Sequence, residues 1–204
     1  MLKRIRRAIF SVTEAPARIP SLDGLRAISI ALVLFAHTSG TAFFPSFVFL
    51  RRHLGNFGVR VFFVISGYLI TTLLLKELDK TGRISLKLFY IRRVFRIFPA
   101  AYFYLAVAAV LLAFGLVELE WNDIVFGFTY TTNYDPVRPW HTIHLWSLSV
   151  EEQFYLIWPA TLAFLGRRRA MVAAAAMIAV APLLRIAFLQ TDLLRWTEIG
   201  RAHV

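Results

Sequence analysis

Cysteine is absent from this 204-residue sequence, and acidic residues are scarce. Without cysteine, the chain cannot be a disulfide-stapled secreted domain, a thiol enzyme, or a protein with a Cys-ligated zinc or iron–sulfur centre. Twelve Asp and Glu stand against 23 Lys and Arg, so the formal net charge is +11. Apolar residues make up 58% of the chain, which excludes a disordered polymer and exceeds the about 45–50% of soluble domains.

Long apolar runs account for this excess. About 20 apolar residues are needed to cross the ~30 Å hydrocarbon layer of a bilayer. Runs near that length predict about five spanning helices, at residues 27–50, 57–78, 97–117, 144–165 and 170–189. Pro99 is expected in the first turn of the third helix, where proline is tolerated. The shorter run 124–134 is predicted to be re-entrant or interfacial. The expected fold class is all-α, a polytopic membrane helix bundle.

Basic residues lie in clusters between the apolar runs, which is the pattern that fixes orientation in membranes. Lys and Arg concentrate in residues 1–23, 76–96 and 167–169, whereas residues 118–143 carry four acidic residues and one Arg. The sequence therefore predicts a multi-pass protein of the cytoplasmic (inner) membrane with a cytoplasmic N-terminus. The lipid bilayer explains the charge, and no nucleic-acid partner is expected. No signal peptide is evident, because the first apolar run is far too short.

Arg26 and His37 lie near and within the first apolar run, and ionisable residues inside a membrane are rare and functional by default. They are eleven residues apart, so both are expected on one helix face, about 16 Å from each other. Arg26 is expected at the cytoplasmic mouth and His37 near mid-membrane. Such surroundings favour neutral imidazole, which accepts a proton, so His37 is a candidate general base. A snorkelling arginine and a packed interhelical histidine are the structural alternatives.

Glu151 is the second candidate, together with Ser147 and Tyr155 on the fourth run. Steps of four residues place the three side chains on one helix face. An ionised glutamate in hydrocarbon is unfavourable enough that Glu151 is expected to face a polar interior, near the outer leaflet. There it could orient His37 or a substrate hydroxyl by hydrogen bonding. An interhelical hydrogen bond without a catalytic role is the structural alternative.

Arg92, Arg93 and Arg96 form a basic cluster just before the third run. On a helix Arg92 and Arg96 share a face, and Arg93 and Arg96 are also neighbours. Guanidinium groups bind phosphate through paired N–H donors, so the cluster is a candidate phosphate site. Anchoring by the positive-inside rule, or binding of anionic lipid, is the more common explanation of such a run.

Two further patterns do not indicate a catalytic or metal site. Small residues in the second run predict close approach of another helix; they are Gly55, Gly58, Ser66 and Gly67. His141 and His144 with Asp135 suggest a metal site only weakly, because the His-x-x-His spacing has neither a helix nor a third ligand. No metal is predicted.

Four motifs resemble the acyltransferase-3 family, whose members are integral-membrane acyltransferases, many of which O-acetylate bacterial surface polysaccharides. The motifs occur in the family's order and together span about residues 18–165. They are LDGLRA at 22–27 followed by His37, GNFGVRVFFVISGYLI at 55–70, RRVFRIFP at 92–99 and HLWSLSVEEQFY at 144–155. The four motifs in combination are highly specific.

The resemblance implies an acyltransferase-3 membrane domain over residues 1–204, of which about five of about ten spanning helices are present. A truncated, N-terminal fragment is therefore expected, and residues 198–204 have no recognised counterpart. Matching motif by motif, the resemblance places the family's functional residues on Arg26, His37, Arg93, Arg96 and Glu151. Glu152 falls on a position that varies in the family.

The implied activity is transfer of an acyl group, expected to be acetyl, from acyl-CoA to a hydroxyl of an envelope polysaccharide or related acceptor. The phosphates of the donor would dock on Arg92, Arg93 and Arg96, and no cofactor is bound permanently. His37 would act as general base oriented by Glu151, or would itself be transiently acylated. A proton-coupled transporter and an inactive remnant are the alternatives, because carriers also use intramembrane Arg, His and Glu.

Overall fold

A computed structural model describes residues 20–39, 41, 44–45, 47–137 and 139–187. Regular structure in these residues is helical throughout: α1 (Pro20–Thr38), α2 (Val48–Thr81), α3 (Leu86–Ala113), α4 (Trp121–Phe128), a 3₁₀ turn (Thr132–Tyr134) and α5 (Leu145–Ala187). Three helical stretches in this part of the chain are long and apolar enough to cross a membrane, namely Pro20–Thr38, His53–Thr81 and Leu86–Ala113. The predicted all-α membrane class is confirmed.

The fourth and fifth predicted spans together form α5, which is interrupted at Gly166. Gly166 has φ 73° and ψ 169°, values outside the helical region that a residue without Cβ adopts at little cost. The first part of α5 carries Glu151 and Glu152, and three arginines open the second part. Of the five predicted spans, those that correspond to α1, α2 and α3 are long and apolar enough to cross a membrane among the described residues, and the two parts of α5 are not.

Two predicted boundaries are wrong. The first apolar run was expected to form one helix over 27–50, but α1 ends at Thr38. Ser39 follows, buried, and its hydroxyl donates to Pro45 O and accepts from Phe47 N, so that the chain turns before α2. Pro99 was expected in a first turn, yet α3 begins at Leu86 and Pro99 lies inside it.

The chain divides into two compact units after Lys80, and α1 and α2 belong to the first. Their packing depends on the glycines of α2. A Cβ built on Gly58 would lie 2.8 Å from Ser29 O, and one on Gly55 would lie 2.6 Å from Ala36 Cβ. Real Cβ atoms do not approach so closely, so glycine is required where the two helices touch. The predicted close approach is confirmed for Gly55 and Gly58.

The second unit contains α3, α4, the 3₁₀ turn and α5. Leu105 of α3 and Leu145 of α5 both lie beside Gly127 of α4, where a Cβ would meet their side chains at 2.6 and 3.3 Å. Tyr90 and Tyr104 of α3 donate hydrogen bonds to Leu156 O and His141 O, respectively. From Tyr90 to Tyr104 the chain of α3 advances, while the partner residues go back from Leu156 to His141. The helix α3 and the first part of α5 therefore pack antiparallel.

The short helix α4 occupies the apolar run that was predicted to be re-entrant or interfacial. It has eight residues, which is about 12 Å and far too short to cross a bilayer. At its start, Asp123 Oδ2 accepts a hydrogen bond of 2.7 Å from Glu120 N, which completes a capping box. The 3₁₀ turn then leads the chain back toward α5.

Candidate active site

Arg26 and His37 both lie on α1, and both side chains are half-buried. The helical rise separates them by about 16 Å along one face. Between them on this face lie Ser29 and Val33, whose atoms flank Gly58 of α2 at 2.8 and 3.2 Å from its hypothetical Cβ. The Arg26–His37 face therefore borders the tight contact between α1 and α2, and its polar groups lie beside protein.

A second polar cluster lies in the second unit and connects α3 to α5. The guanidinium carbon of Arg93 lies 3.7 Å from the centroid of the Tyr155 ring and 5.9 Å from that of Phe89. The Tyr155 hydroxyl donates a hydrogen bond to Glu151 Oε1 one turn earlier in α5. Tyr155 is only 3% exposed, so its ring is fixed between the cation and the carboxylate. Arg93, Tyr155 and Glu151 thus form a continuous chain of contacts.

Glu152 adds a second carboxyl group to this cluster. Its side chain is half-buried, and Oε1 is buried with no hydrogen-bond partner among the described residues. The charges of Arg93 and Glu151 both act on it, and it in turn acts on Tyr102 and Tyr130. A buried carboxylate that lacks hydrogen-bond donors depends on a nearby cation. Arg93 is the cation that this cluster provides.

The three predicted arginines have different surroundings. Arg92 and Arg96 are exposed on α3, whereas Arg93 is half-buried against Tyr155. Helical geometry explains this, because adjacent residues are rotated by about 100° and residues four apart share a face. Arg93 was expected at the cytoplasmic face and Glu151 near the outer leaflet, but both contact Tyr155, so the two residues lie close together.

The 3₁₀ turn is fixed to α5 by two side chains, Ser149 and Gln153, that were not among the predicted site residues. Ser149 Oγ accepts a hydrogen bond from Thr132 N, and Gln153 forms a reciprocal amide pair with Asn133. Gln153 also donates to Tyr130 O at 2.9 Å. Ser149 and Gln153 are four residues apart, and this spacing of polar residues in an apolar run is the signal that could have found them.

A group of aromatic rings packs between α3 and α4. Phe98 and Tyr130 stack at 5.3 Å between ring centroids, and Tyr102 packs against Phe128 at 4.9 Å. Tyr102 also donates a hydrogen bond to Phe128 O. Gln153 of α5 donates a hydrogen bond to the backbone of Tyr130. The aromatic rings therefore lie close to the glutamates of α5.

A buried acidic pair lies in the connection between α3 and α5. Asp123 and Asp135 are 5% and 2% exposed, and their carboxyl groups interact directly. Burial raises the pKa of Asp123 above its ordinary value and the charge of Asp135 adds to the effect, although the hydrogen bond from Glu120 N opposes it. Asp135 Oδ1 in turn accepts from Val137 N. The pair therefore orders this connection.

Ser147 and His144 have structural contacts. The Ser147 hydroxyl donates to His144 O within the first turns of α5, and the His144 ring packs edge-on against Tyr104 at 5.1 Å. Ser147 was predicted to share a face with Glu151 and Tyr155, and the contact that forms on that face is between Glu151 and Tyr155.

Comparison with known proteins decides the family. The acyltransferase-3 family model, described as an acyltransferase domain, matches residues 19–201. The chain belongs to the acyltransferase-3 family. The match extends past the 18–165 region in which motifs were recognised, and it includes part of the 198–204 tail, which lies outside the described residues.

Relatives in this family are O-acetyltransferases. The peptidoglycan O-acetyltransferase OatA of Listeria monocytogenes is 37% identical over 163 residues, covering 71% of this chain and 24% of the relative. OatA of Staphylococcus aureus is 33% identical over 172 residues, covering 76% of this chain and 26% of the relative. The chain thus spans about a quarter of the length of these relatives. No solved structure matches it.

The predicted site residues belong to the family motifs and are divided between the two units. Arg26 and His37 belong to the first unit, and Arg93 and Glu151 to the second. Orientation of His37 by Glu151 stays a prediction, as do the catalytic roles of Arg26, His37 and Glu151 and the phosphate site at Arg92, Arg93 and Arg96. The direct contact of Arg93 with Tyr155 is new, since no sequence motif pairs them.

Proposed function

We propose that this chain is acyltransferase machinery that moves an acetyl group from acetyl-CoA to a hydroxyl of a cell-envelope carbohydrate. The observation that carries the proposal is the family match over residues 19–201, with O-acetyltransferases as relatives. Peptidoglycan, named in the Listeria relative, is the proposed type of acceptor. The proposed setting is the cytoplasmic membrane, with the N-terminus inside.

Exposed arginines on α3 are the proposed docking points for the donor. The phosphates of acyl-CoA cannot enter hydrocarbon, so they require cationic groups at the membrane surface. Arg92 and Arg96 are exposed and one helical turn apart, a spacing that suits two phosphate groups. The basic residues of the stretch 76–96 support a cytoplasmic position for this site.

His37 is the proposed general base. Its imidazole removes the proton of the acceptor hydroxyl while the oxygen attacks the thioester carbonyl, and a C–O bond forms. The C–S bond then breaks, and the CoA thiolate takes the proton from the imidazolium to leave as free thiol. In the covalent variant, the imidazole attacks the thioester carbonyl and the C–S bond breaks, so that CoA leaves as the thiol with the imidazole proton. The acyl-imidazole then passes its acyl group to the hydroxyl oxygen, and the hydroxyl proton returns to the imidazole. Arg26 on the same face supplies positive charge toward the donor.

Glu151 is the proposed hydrogen-bond partner of the acceptor hydroxyl. Its position is fixed in part by the hydrogen bond that the Tyr155 hydroxyl donates to Oε1. A fixed carboxylate orients a hydroxyl better than a mobile one, because less conformational entropy is lost on binding.

The activity can be tested with the full chain in proteoliposomes. Acetyl-CoA and a soluble peptidoglycan fragment are supplied, and both free CoA and O-acetylated product are measured. Equal amounts of both, dependent on acceptor, are the expected result. Movement of solute with no release of CoA would instead identify a transporter and overturn the proposal.

A further inference from the structure

The side chain of Arg93 is directed into the second unit, away from the surface that Arg92 and Arg96 share. Its guanidinium carbon is 3.7 Å from the centroid of the Tyr155 ring, which is close for a cation–π contact. The ring centroid of Phe89, which is also buried, lies 5.9 Å from the same carbon. Stacking leaves the in-plane N–H donors of a guanidinium available, but Arg93 is half-buried beside Tyr155, whereas Arg92 and Arg96 are exposed and accessible to a phosphate.

The contacts beyond Tyr155 lead to the carboxylates. The ring that receives Arg93 carries the hydroxyl that donates to Glu151 Oε1. The charge of Arg93 also acts on Glu152, whose Oε1 is buried without a hydrogen-bond partner in the described part of the chain. Arg93 thereby influences two adjacent acidic groups, Glu152 through its charge and Glu151 through the Tyr155 ring.

We propose that Arg93 is a positioning residue, which holds Tyr155 and the Glu151–Glu152 carboxylates in place for acyl transfer instead of binding the phosphates of the donor. This inference rests on the proposed function. It assigns phosphate binding to Arg92 and Arg96, and it gives Glu152 a role as the charge partner of Arg93.

The two roles predict different kinetics. A residue that positions the carboxylates affects the chemical step, so Arg93→Ala should lower kcat about tenfold or more while KM for acetyl-CoA stays within about twofold. Arg96→Ala is the matched control, because Arg96 is exposed on the same helix three residues later. It should raise KM for acetyl-CoA about tenfold with little change in kcat.

Arg93→Lys separates the roles further and serves if the alanine variant does not fold. Lysine keeps a positive charge that can lie over the Tyr155 ring, but it lacks the planar fork that binds phosphate in two places. A positioning role predicts that most of kcat is retained in Arg93→Lys. If Arg93 instead bound the phosphates of acetyl-CoA, Arg93→Lys would bind acetyl-CoA more weakly and its KM would rise.

The variant Glu152→Gln tests whether Glu152 is the charge partner of Arg93. If Arg93 and Glu152 act on one another, the double variant Arg93→Ala/Glu152→Gln should be no slower than Arg93→Ala alone, because the buried charge is removed together with its cation. Independent effects that multiply in the double variant would contradict the pairing.

All variants are compared as full chains in the proteoliposome assay that measures CoA release and O-acetylated product. A raised KM for acetyl-CoA in Arg93→Ala and Arg93→Lys, with unchanged kcat, would overturn the positioning role and leave the acyltransferase proposal intact. Absence of acetyl transfer by the unmodified chain would instead overturn the proposed function, and the positioning role with it.

Discussion

Tyr155 holds together the cluster of Arg93, Tyr155 and Glu151 in the second unit. Its ring receives Arg93 and its hydroxyl donates to Glu151, so it links a cation on α3 to a carboxylate on α5. Both contacts are shielded from water, since the side chain is 3% exposed. Shielding strengthens electrostatic interactions of this kind.

Removing only the Tyr155 hydroxyl tests its link to Glu151. Tyr155→Phe retains the ring beneath Arg93 but removes the hydrogen bond from the hydroxyl to Glu151 Oε1, and such a bond contributes about 0.5–1.5 kcal/mol. Acetyl transfer is expected to fall about tenfold or more, measured by product formation in proteoliposomes.

Tyr90→Phe is the control, because the Tyr90 hydroxyl donates to the backbone at Leu156 O and to no carboxylate. It should lose a similar hydrogen bond with much less effect on rate. Equal losses of rate in the two variants would show that Tyr155 contributes only to folding.

Asp123 predicts a dependence of stability on pH. Its pKa is raised in the folded protein, first by burial and then by Asp135, so the ionised form is less stable there than in the unfolded chain. The free energy of unfolding should therefore increase as pH falls through the raised pKa toward the ordinary value of about 4.

Asp123→Asn removes the charge and keeps an oxygen to accept from Glu120 N. Thermal unfolding of this variant in detergent between pH 4 and 7 should show a weaker pH dependence than the unmodified chain, and no loss of stability at pH 7. A variant with the same pH profile as the parent would refute the assignment to Asp123.

Some of these contacts could be predicted from the sequence and others could not. The Tyr155–Glu151 hydrogen bond joins residues four apart on one helix, so spacing alone indicates it. The contact of Arg93 with Tyr155 joins residues far apart in sequence, and spacing within α3 grouped Arg93 with Arg92 and Arg96. Only the packing of α3 on α5 shows that Arg93 has different neighbours.

The presence of long apolar helices could be predicted from the sequence, but the residues at which they begin and end could not. Apolar runs locate α1, α2 and α3, because crossing a membrane demands long apolar segments. Runs of hydropathy do not mark where a helix stops, as the turn at Ser39 and the helical residues before Pro99 show. Ser39 ends an apolar run with its own hydrogen bonds to Pro45 and Phe47, which no hydropathy pattern contains.

The contact of α1 with α2 depends on the absence of a side chain at Gly58. An alanine there would place its Cβ 2.8 Å from the backbone oxygen of Ser29, which can move only if α1 moves. Gly58→Ala is therefore expected to destabilise the first unit by about 1–3 kcal/mol. Thermal unfolding of the detergent-solubilised protein measures the effect.

Gly24→Ala is the matched control on α1, since no heavy atom lies within 4 Å of its hypothetical Cβ. Alanine is a better helix former than glycine by up to about 1 kcal/mol, so this variant should be as stable as the parent or slightly more stable. If Gly58→Ala were equally well tolerated, the two helices would not be in close contact at that point.

For the protein as a whole, composition indicates the membrane class and four motifs indicate the family. Both conclusions need only the order of residues, because apolar length and motif spacing are properties of the sequence. The two units that divide after Lys80 depend on packing and were not predicted. Each contains one of the two clusters that carry the proposed chemistry.

His37 is the proposed general base of acetyl transfer, and one comparison tests this role directly. The full chain and its His37→Ala variant are reconstituted at equal density, and acetylated acceptor is measured after addition of acetyl-CoA. His53→Ala, a change of the same type at an exposed position on α2, is the control. His37→Ala is expected to transfer acetyl groups about 10²–10⁴-fold more slowly, while His53→Ala stays near the parent rate. Transfer by His37→Ala at the parent rate would contradict this role.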